Sequence, residues 1–271
     1  MWDFEHPPLA ATLAERYQLH YTLPSLCADE LLAARADLGL IPIASLTPDL
    51  AIVPNCVIAS LNHVRSIQLI VRSDASDPDI ALRSVRSIAA DKASRSSLVY
   101  ADILFRKFLS VQPTFVPCEA DPIAMLKLAD AAVLIGDPAL VALDIRPQLE
   151  DAIGPCHWFD LAHEWRTRTG LPWVAAVWAV RSESLPRAHT SPTQLIEDLT
   201  LSRDHGLTHI EDIVREWAPP RLPLSEDTIR NYLTHNIQYK LEPECIQTIQ
   251  LFRQYADEIG ALPPLPDLRF L

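Results

Sequence analysis

Short apolar runs alternate with amphipathic segments over the first two thirds of the chain. Runs rich in β-branched and aromatic residues, ended by proline or a polar turn, predict strands. They cover residues 17–23, 38–42, 57–60, 67–71, 87–90, 114–116 and 131–135. Capping residues followed by helical spacing predict helices over 30–36, 94–108, 122–128 and 160–169. This alternation predicts an α/β fold, beginning with a parallel strand-helix-strand unit.

The pattern changes to helix alone after residue 192. The spacing of apolar residues predicts helices over 192–203, 208–217, 225–236 and 243–259. The last ten residues contain three prolines, so we expect an extended tail on the surface.

The pattern predicts that the chain crosses between two separate sheets twice, at residues 60–67 and at residues 173–180. They make the middle of the chain an insertion into a domain that is built from both ends. We therefore expect a two-lobed, hinged fold like that of periplasmic binding proteins of type II, each lobe a mixed or parallel sheet flanked by helices. Lobe 1 comprises residues 1–66 and 176–271, with a helical C-terminal part, and lobe 2 comprises residues 67–175.

The chain is acidic, with 23 Lys and Arg against 35 Asp and Glu and a net charge of -12. This charge argues against nucleic acid or an anionic membrane as a partner. An anionic ligand would need a locally positive pocket. The sequence has no apolar run long enough to cross a bilayer and no signal peptide at its start, so we expect a cytoplasmic protein.

Several common site chemistries have no motif in this sequence. The five cysteines are widely spaced and predict free thiols instead of a disulfide framework or zinc site. His205 and His209 have helical spacing, but Gly206 lies between them and no third ligand is evident, so we expect no metal. Glycine-rich phosphate loops and the G-x-S-x-G elbow are also missing from the sequence.

The stretch from Asp91 to Val99 is the strongest candidate for an anion site. Its three serines and Arg95 lie where a strand is expected to lead into a helix, so hydroxyls, a guanidinium and free N–H groups could converge. The alternative is that Ser94 only caps the helix. Asp137 lies at another strand end, where it either binds a ligand or caps a helix. His63 is either a catalytic acid or base, or an exposed loop residue without a role.

Several segments together resemble one family, the periplasmic-binding-protein-like chorismate dehydratases of the futalosine route to menaquinone. The matching segments are residues 37–42, 58–60, 64–66, 91–97, 135–140, 160–161, 164–165, 169–172, 176–178, 232–233, 236–237 and 239. The most specific part is the combination of Ser-Arg-Ser-Ser at 94–97 with Gly-Asp-Pro-Ala at 136–139.

The resemblance implies a cofactor-independent hydro-lyase of the cytoplasm that converts chorismate to 3-[(1-carboxyvinyl)oxy]benzoate. It implies a substrate cleft between the lobes, lined by Ser60, Ser94, Arg95, Ser96, Ser97, Gly136 and Asp137. We expect Arg95 to bind a carboxylate, unless it pairs with a surface acid. The catalytic base is either Asp137 or a carboxylate of the substrate itself.

The sequence departs from the family pattern in two places. The family has a strand ending in Ser-Tyr-x-Asn-Thr, with a ligand-binding asparagine, for which this sequence shows no counterpart before its first predicted elements. Asn62-His63 stands where the family commonly has Gly-Pro. Two other functions stay open: a dihydroxynaphthoate synthase of the same pathway, and a non-catalytic protein that binds aromatic acids.

Overall fold

A computed structural model describes residues 1–185, 190–218 and 223–271, and within them eight strands form two sheets. The first sheet contains β1 (Leu38–Pro42), β2 (Leu50–Ser60) and β8 (Trp173–Arg181) in the order β1-β8-β2. The second contains β3 (Ile67–Arg72), β4 (Ser87–Asp91), β5 (Thr114–Cys118), β6 (Ala131–Ile135) and β7 (Cys156–Asp160) in the order β5-β4-β6-β3-β7. Each lobe of the fold is built on one of these sheets.

The pairing within each sheet determines which strand ends meet. In the first sheet β8 runs antiparallel to both neighbours. In the second sheet β4 runs parallel to β5 and β6, whereas β3 is antiparallel to β6 and β7. The carboxyl ends of β4 and β6 therefore lie at the edge where β3 begins.

Helices flank both sheets and make up most of the C-terminal part. They are α1 (Trp2–Glu5), α2 (Ala10–Ala14), α3 (Pro24–Leu32), α4 (Pro78–Ser84), α5 (Ser96–Ile103), α6 (Pro122–Leu128), α7 (Asp137–Asp144), α8 (Arg146–Ile153), α9 (Leu161–Thr169), α10 (Pro192–Thr208), α11 (Ile210–Trp217), α12 (Glu226–Asn231) and α13 (Pro243–Glu258). Turns of π-helix continue α5 over Leu104–Phe108 and α12 over Tyr232–Asn236. No helix in the described ranges is both long and apolar enough to cross a bilayer.

A buried aromatic cluster joins the two lobes. The ring of Tyr100 on α5 lies 5.0 Å from Trp165, 5.5 Å from Trp173 and 4.4 Å from Phe252, measured between centroids. Its hydroxyl donates to the carbonyl of Val174 at 3.0 Å. Because this hydroxyl is buried, the pKa of Tyr100 lies well above its ordinary value. The middle of α5 is thus held against β8 of the other lobe.

Much of the predicted secondary structure is confirmed. The strands β1 and β6 and the helix α6 have the predicted bounds, and the two-lobed α/β fold with a helical C-terminal part is present. A proline in the first turn and an aspartate cap define the start of α6. Local signals of this kind were sufficient to predict a helix. They were sufficient to predict a strand only where a neighbouring strand pairs with it.

The predicted first α/β unit is wrong. Residues 17–23 form no strand, because no neighbouring strand pairs with them in the described structure. The helix predicted over 30–36 begins earlier, with Pro24 in the first turn of α3. Since β1 then pairs antiparallel with β8, no parallel strand-helix-strand unit forms there.

The first crossing is confirmed at residues 61–66, which link β2 in one sheet to β3 in the other. The second crossing was misplaced. The predicted stretch 173–180 belongs to β8, which pairs with β1 and β2 in the first sheet. The chain instead returns through α9, after the strand β7, which the sequence analysis did not predict.

Candidate functional site

The turns that follow β4 and β6 lie side by side and are tied together by Asp91. Its carboxylate accepts the N–H of Ala93 at 2.9 Å in the turn after β4. It also faces the backbone N–H of Ile135, the last residue of β6, which favours its ionised form. Burial raises the pKa of Asp91, and these N–H groups oppose the rise. The starts of α5 and α7 are therefore fixed next to each other.

The first turn of α5 has no side-chain cap. Arg95 occupies the position before the helix, and its side chain makes no capping hydrogen bond. In the second lobe α4, α6 and α9 each begin with a capping aspartate, namely Asp77, Asp121 and Asp160, whereas α7, like α5, has no side-chain cap. An uncapped helix start presents free N–H groups and a partial positive charge, which favours an anion.

Ser94 does not cap α5, so the alternative interpretation of this residue is wrong. Its side chain is 6% exposed, and its hydroxyl has no hydrogen-bond partner within the described residues. Ser60, at the end of β2, is 1% exposed and its hydroxyl is likewise unpartnered there. Buried hydroxyls normally find a partner, so both of these have hydrogen-bonding capacity that the described residues do not use.

The other two serines of the motif differ in their bonding. The hydroxyl of Ser96 accepts from the N–H of Ala44 and donates to the carbonyl of Ala175, both at 3.2 Å. Ser97 is buried in the same turn. Ser96 thus holds the start of α5 against the lobe that carries Ser60, whose strand pairs with the start of β8.

Arg95 is engaged by an acid. Its Nη2 atom donates to both carboxylate oxygens of Asp29 on α3, at 2.8 and 2.7 Å, and its Nη1 lies 3.4 Å from the hydroxyl of Ser45. The pair is partly exposed. Arg95 as a ligand for a substrate carboxylate stays a prediction, and Asp29 is the group with which a substrate would compete.

Gly136 and Asp137 form the start of α7. Gly136 has φ 64° and ψ −144°, a region that is essentially restricted to glycine. Its N–H donates to the carbonyl of Ser66 at 2.7 Å, so this turn is attached to the first crossing. The conformation directs the chain sharply from β6 into the helix.

The Asp137 carboxylate accepts no hydrogen bond and forms no ion pair with the described part of the chain. Its side chain is exposed, yet loss of solvent to the surrounding protein raises its pKa. An unpaired carboxylate with a raised pKa is suited to accept a proton.

Tyr232 is a site residue that the sequence analysis did not identify. It lies where α12 changes to π-helix, a distortion that is frequent at functional sites. Its hydroxyl donates to the hydroxyl of Ser66 at 3.0 Å. Burial raises its pKa, and the negative charge of Asp137 raises it further. The resemblance had included Tyr232 only as a matching position, and its contact with Ser66 is long-range in sequence.

His63 is placed at the outer side of the same crossing. Its ring stacks on that of His163, with centroids 4.2 Å apart, and the Nδ1 of His163 lies 2.8 Å from the side-chain oxygen of Asn62. The carbonyl of His63 accepts a hydrogen bond from Asn236 at 2.9 Å. His63 thus connects the first crossing, in which it lies, to α9 and to the C-terminal region.

The sequence was compared with known families and proteins. The sequence model of a family described as menaquinone biosynthesis matches residues 3–258. A chorismate dehydratase of Thermus thermophilus is 28% identical over 201 residues, which cover 71% of this chain and 68% of that protein.

Solved structures with the same fold are more distant in sequence. A structural-genomics protein of Archaeoglobus fulgidus has a TM-score of 0.57 and 14% identity, covering 96% of this chain and 94% of that one. A Candida albicans protein described as having the generic periplasmic binding protein fold has a TM-score of 0.58 and 13% identity, covering 88% and 78%. The periplasmic aliphatic sulphonate binding protein of Escherichia coli has a TM-score of 0.55 and 15% identity, covering 93% and 82%.

Proposed function

The chain belongs to the menaquinone biosynthesis family, and on this basis we propose that it is a chorismate dehydratase, a hydro-lyase that forms 3-[(1-carboxyvinyl)oxy]benzoate. The similarity to the Thermus thermophilus chorismate dehydratase supports this choice within the family. The substrate cleft lies between the two lobes, which the first crossing (residues 61–66) and α9 connect. The five free cysteines support a cytoplasmic location.

The observation that carries the proposal is the uncapped start of α5 together with two unpartnered buried hydroxyls, that of Ser94 just before the helix and that of Ser60 on the strand that pairs with β8. Chorismate has two carboxylates, and free N–H groups with the hydroxyls of Ser94 and Ser60 can accommodate one of them. A helix start supplies positive potential without adding a charge. This explains how an acidic protein, of net charge -12, can bind a dianion.

Arg95 is the candidate partner of a substrate carboxylate. It lies at the position before α5, and its present partner Asp29 is half-exposed, so solvent weakens that ion pair. A carboxylate delivered into the cleft would compete with Asp29 for the guanidinium. Substrate binding and release of Asp29 are then coupled.

The dehydration removes one ring proton and one ring hydroxyl as water, and formation of the aromatic ring drives it. We assign the ring proton to the carboxylate of Asp137, which is free of hydrogen bonds and has a raised pKa. The departing hydroxyl needs a proton, which the base can return to it so that one water leaves. Orientation of chorismate between the helix starts supplies the remainder of the catalysis.

Product analysis of the purified protein with chorismate tests the proposal. We expect chorismate to disappear and one equivalent of the enol-ether benzoate to form, without an added cofactor. Chorismate that binds but is recovered unchanged would make the chain a binding protein. Conversion of a futalosine-derived substrate in place of chorismate would make it the naphthoate synthase.

A further inference from the structure

We propose that Asp160 is a positioning residue that joins the two crossings between the lobes and thereby sets the geometry of the Gly136–Asp137 turn. Asp160 ends β7 and is 9% exposed. It belongs to none of the residues assigned above to the substrate. The effect of Asp160 on turnover rests on the proposed function. Its effect on the geometry of the Gly136–Asp137 turn does not.

Asp160 receives hydrogen bonds from both crossings. From the first crossing, the N–H groups of Val64 and Arg65 donate to its two oxygens at 3.2 and 2.6 Å. From the start of α9, which forms the second crossing, the N–H groups of Ala162 and His163 donate at 3.0 and 3.2 Å. One buried carboxylate therefore links the first crossing to the start of α9.

Gln68 completes this arrangement at the beginning of β3. Its Nε2 donates to the carbonyl of Arg65 at 3.1 Å and to Asp160 at 3.3 Å. Gln68 is buried, so its amide has no solvent to bond instead. Asp160 and Gln68 thus hold Arg65 by both its N–H and its carbonyl.

Arg65 needs such support because its backbone is strained. It has φ 62°, a left-handed conformation that is unfavourable for a residue with a side chain. Surrounding interactions must enforce a conformation of this kind if it is to persist. Two hydrogen bonds do so: the N–H of Ser66 donates to the carbonyl of Val64 at 2.7 Å and closes the turn around Arg65, and the N–H of Arg65 donates to Asp160.

The next residue transmits this geometry to the site. Ser66 follows Arg65, and its carbonyl accepts the N–H of Gly136 while its hydroxyl accepts from Tyr232. A change in the backbone at Arg65 would move both acceptors. Asp160 therefore orients the turn that carries Asp137 without contacting the substrate.

The test uses Asp160→Asn and Gln68→Met, with Asp121→Asn as the matched control. Asp121 caps α6 through the N–H groups of Ile123 and Ala124, so its variant removes a carboxylate cap far from the crossings. Gln68→Met leaves the cap of α9 in place and removes only the bonds to Arg65 and Asp160. It stays informative if Asp160→Asn does not fold.

The first readout is amide hydrogen exchange of Gly136 in the protein without substrate. We expect exchange to accelerate about tenfold or more in Asp160→Asn and Gln68→Met, and to stay unchanged in Asp121→Asn. Unchanged Gly136 exchange in both crossing variants would overturn the proposal. This readout does not depend on the reaction, so it stands even if wild-type protein fails to convert chorismate.

The second readout is turnover and its rescue. We expect kcat to fall by about tenfold to a hundredfold in Asp160→Asn, because small displacements at a reacting centre have effects of that size. Adding Arg65→Gly should restore part of the loss, since glycine adopts the left-handed conformation without strain. Loss of turnover with no rescue and normal Gly136 exchange would reduce Asp160 to a helix cap.

Discussion

The hydroxyl of Tyr232 donates a hydrogen bond to the hydroxyl of Ser66 at 3.0 Å, which attaches the C-terminal helical region to the first crossing between the lobes. Ser66 in turn accepts the N–H of Gly136, next to Asp137. Three parts of the chain that are remote in sequence therefore meet at the candidate base. Each of these contacts can be removed separately.

Replacing Tyr232 by Phe should lower kcat/KM by more than the loss of protein stability alone would explain. Loss of the hydroxyl removes one hydrogen bond, for which we expect a loss of about 0.5–1.5 kcal/mol in the free energy of unfolding. Because Ser66 then loses its donor, we also expect kcat/KM for chorismate to fall about tenfold. Steady-state kinetics and thermal denaturation measure the two effects.

Tyr239→Phe is the control for that variant. The hydroxyl of Tyr239 donates to the carbonyl of Leu233 at 3.0 Å and makes no contact with Ser66. We expect a similar change in stability and an unchanged kcat/KM. Equal kinetic effects of the two variants would contradict a specific role for the Tyr232–Ser66 contact.

Ser94→Ala and Ser96→Ala should change stability in opposite directions. The hydroxyl of Ser94 is buried without a partner in the described structure, so its removal should stabilise the free protein by up to about 1 kcal/mol. The hydroxyl of Ser96 makes two hydrogen bonds, and its removal should destabilise by about 1 kcal/mol or more. Urea denaturation without ligand measures both.

The two serine variants also differ in kinetics if Ser94 is a ligand. Ser94→Ala should raise KM for chorismate although the protein becomes more stable. A variant with higher stability and an unchanged KM would exclude Ser94 from the substrate site.

Arg95→Ala should raise KM for chorismate about tenfold to a hundredfold. That range corresponds to loss of a charge-assisted hydrogen bond of ~1.5–3 kcal/mol. Asp29→Asn separates the two roles of Arg95, because it leaves the guanidinium free of its acidic partner. It should leave KM unchanged or lower it. If both variants raise KM equally, the ion pair only maintains structure.

Asp137→Asn should lower kcat by about 10²–10⁴-fold while chorismate still binds. In the wild-type protein kcat should rise with pH through the pKa of Asp137, which lies above its ordinary value of 3.8. The variant should lack this rise. Turnover close to wild type in Asp137→Asn would assign the ring proton to a carboxylate of the substrate.

The same variant should affect stability in a pH-dependent way. The pKa of Asp137 is raised in the folded protein, so the folded state holds this proton more tightly than the unfolded state does. Stability is therefore lost as pH rises through that pKa. Asp137→Asn should therefore melt at a higher temperature than wild type at pH 7. The difference should shrink as the pH is lowered below 3.8, the ordinary pKa of the group.

Local signals predicted the fold wherever one stretch of chain was sufficient to determine an element. Asp121 and Pro122 define the start of α6, and Gly170, with φ 73°, ends α9. Residues 17–23 have strand propensity, but a strand also needs a neighbour to pair with, which the sequence does not reveal. The strand β7 was missed because only Phe159 and Asp160 of its five residues are buried.

The sequence indicated the turns of the candidate site but not the contacts that hold these turns in place. The order of residues indicated the serines at 94–97 and the pair Gly136–Asp137, because each follows an apolar strand. The contacts of Asp91 with Ile135, of Ser66 with Tyr232 and of Asp160 with Val64 join distant parts of the chain. No local pattern encodes such contacts. The sequence likewise does not reveal that Asp29 is the partner of Arg95.

The most direct test of the account is conversion of chorismate by the wild-type protein and by Asp137→Asn, followed by product analysis in the same assay. We expect wild-type protein to form 3-[(1-carboxyvinyl)oxy]benzoate and the variant to bind chorismate and form about 10²-fold less of it or lower. Recovery of unchanged chorismate from wild-type protein that binds it would contradict the proposed dehydratase activity.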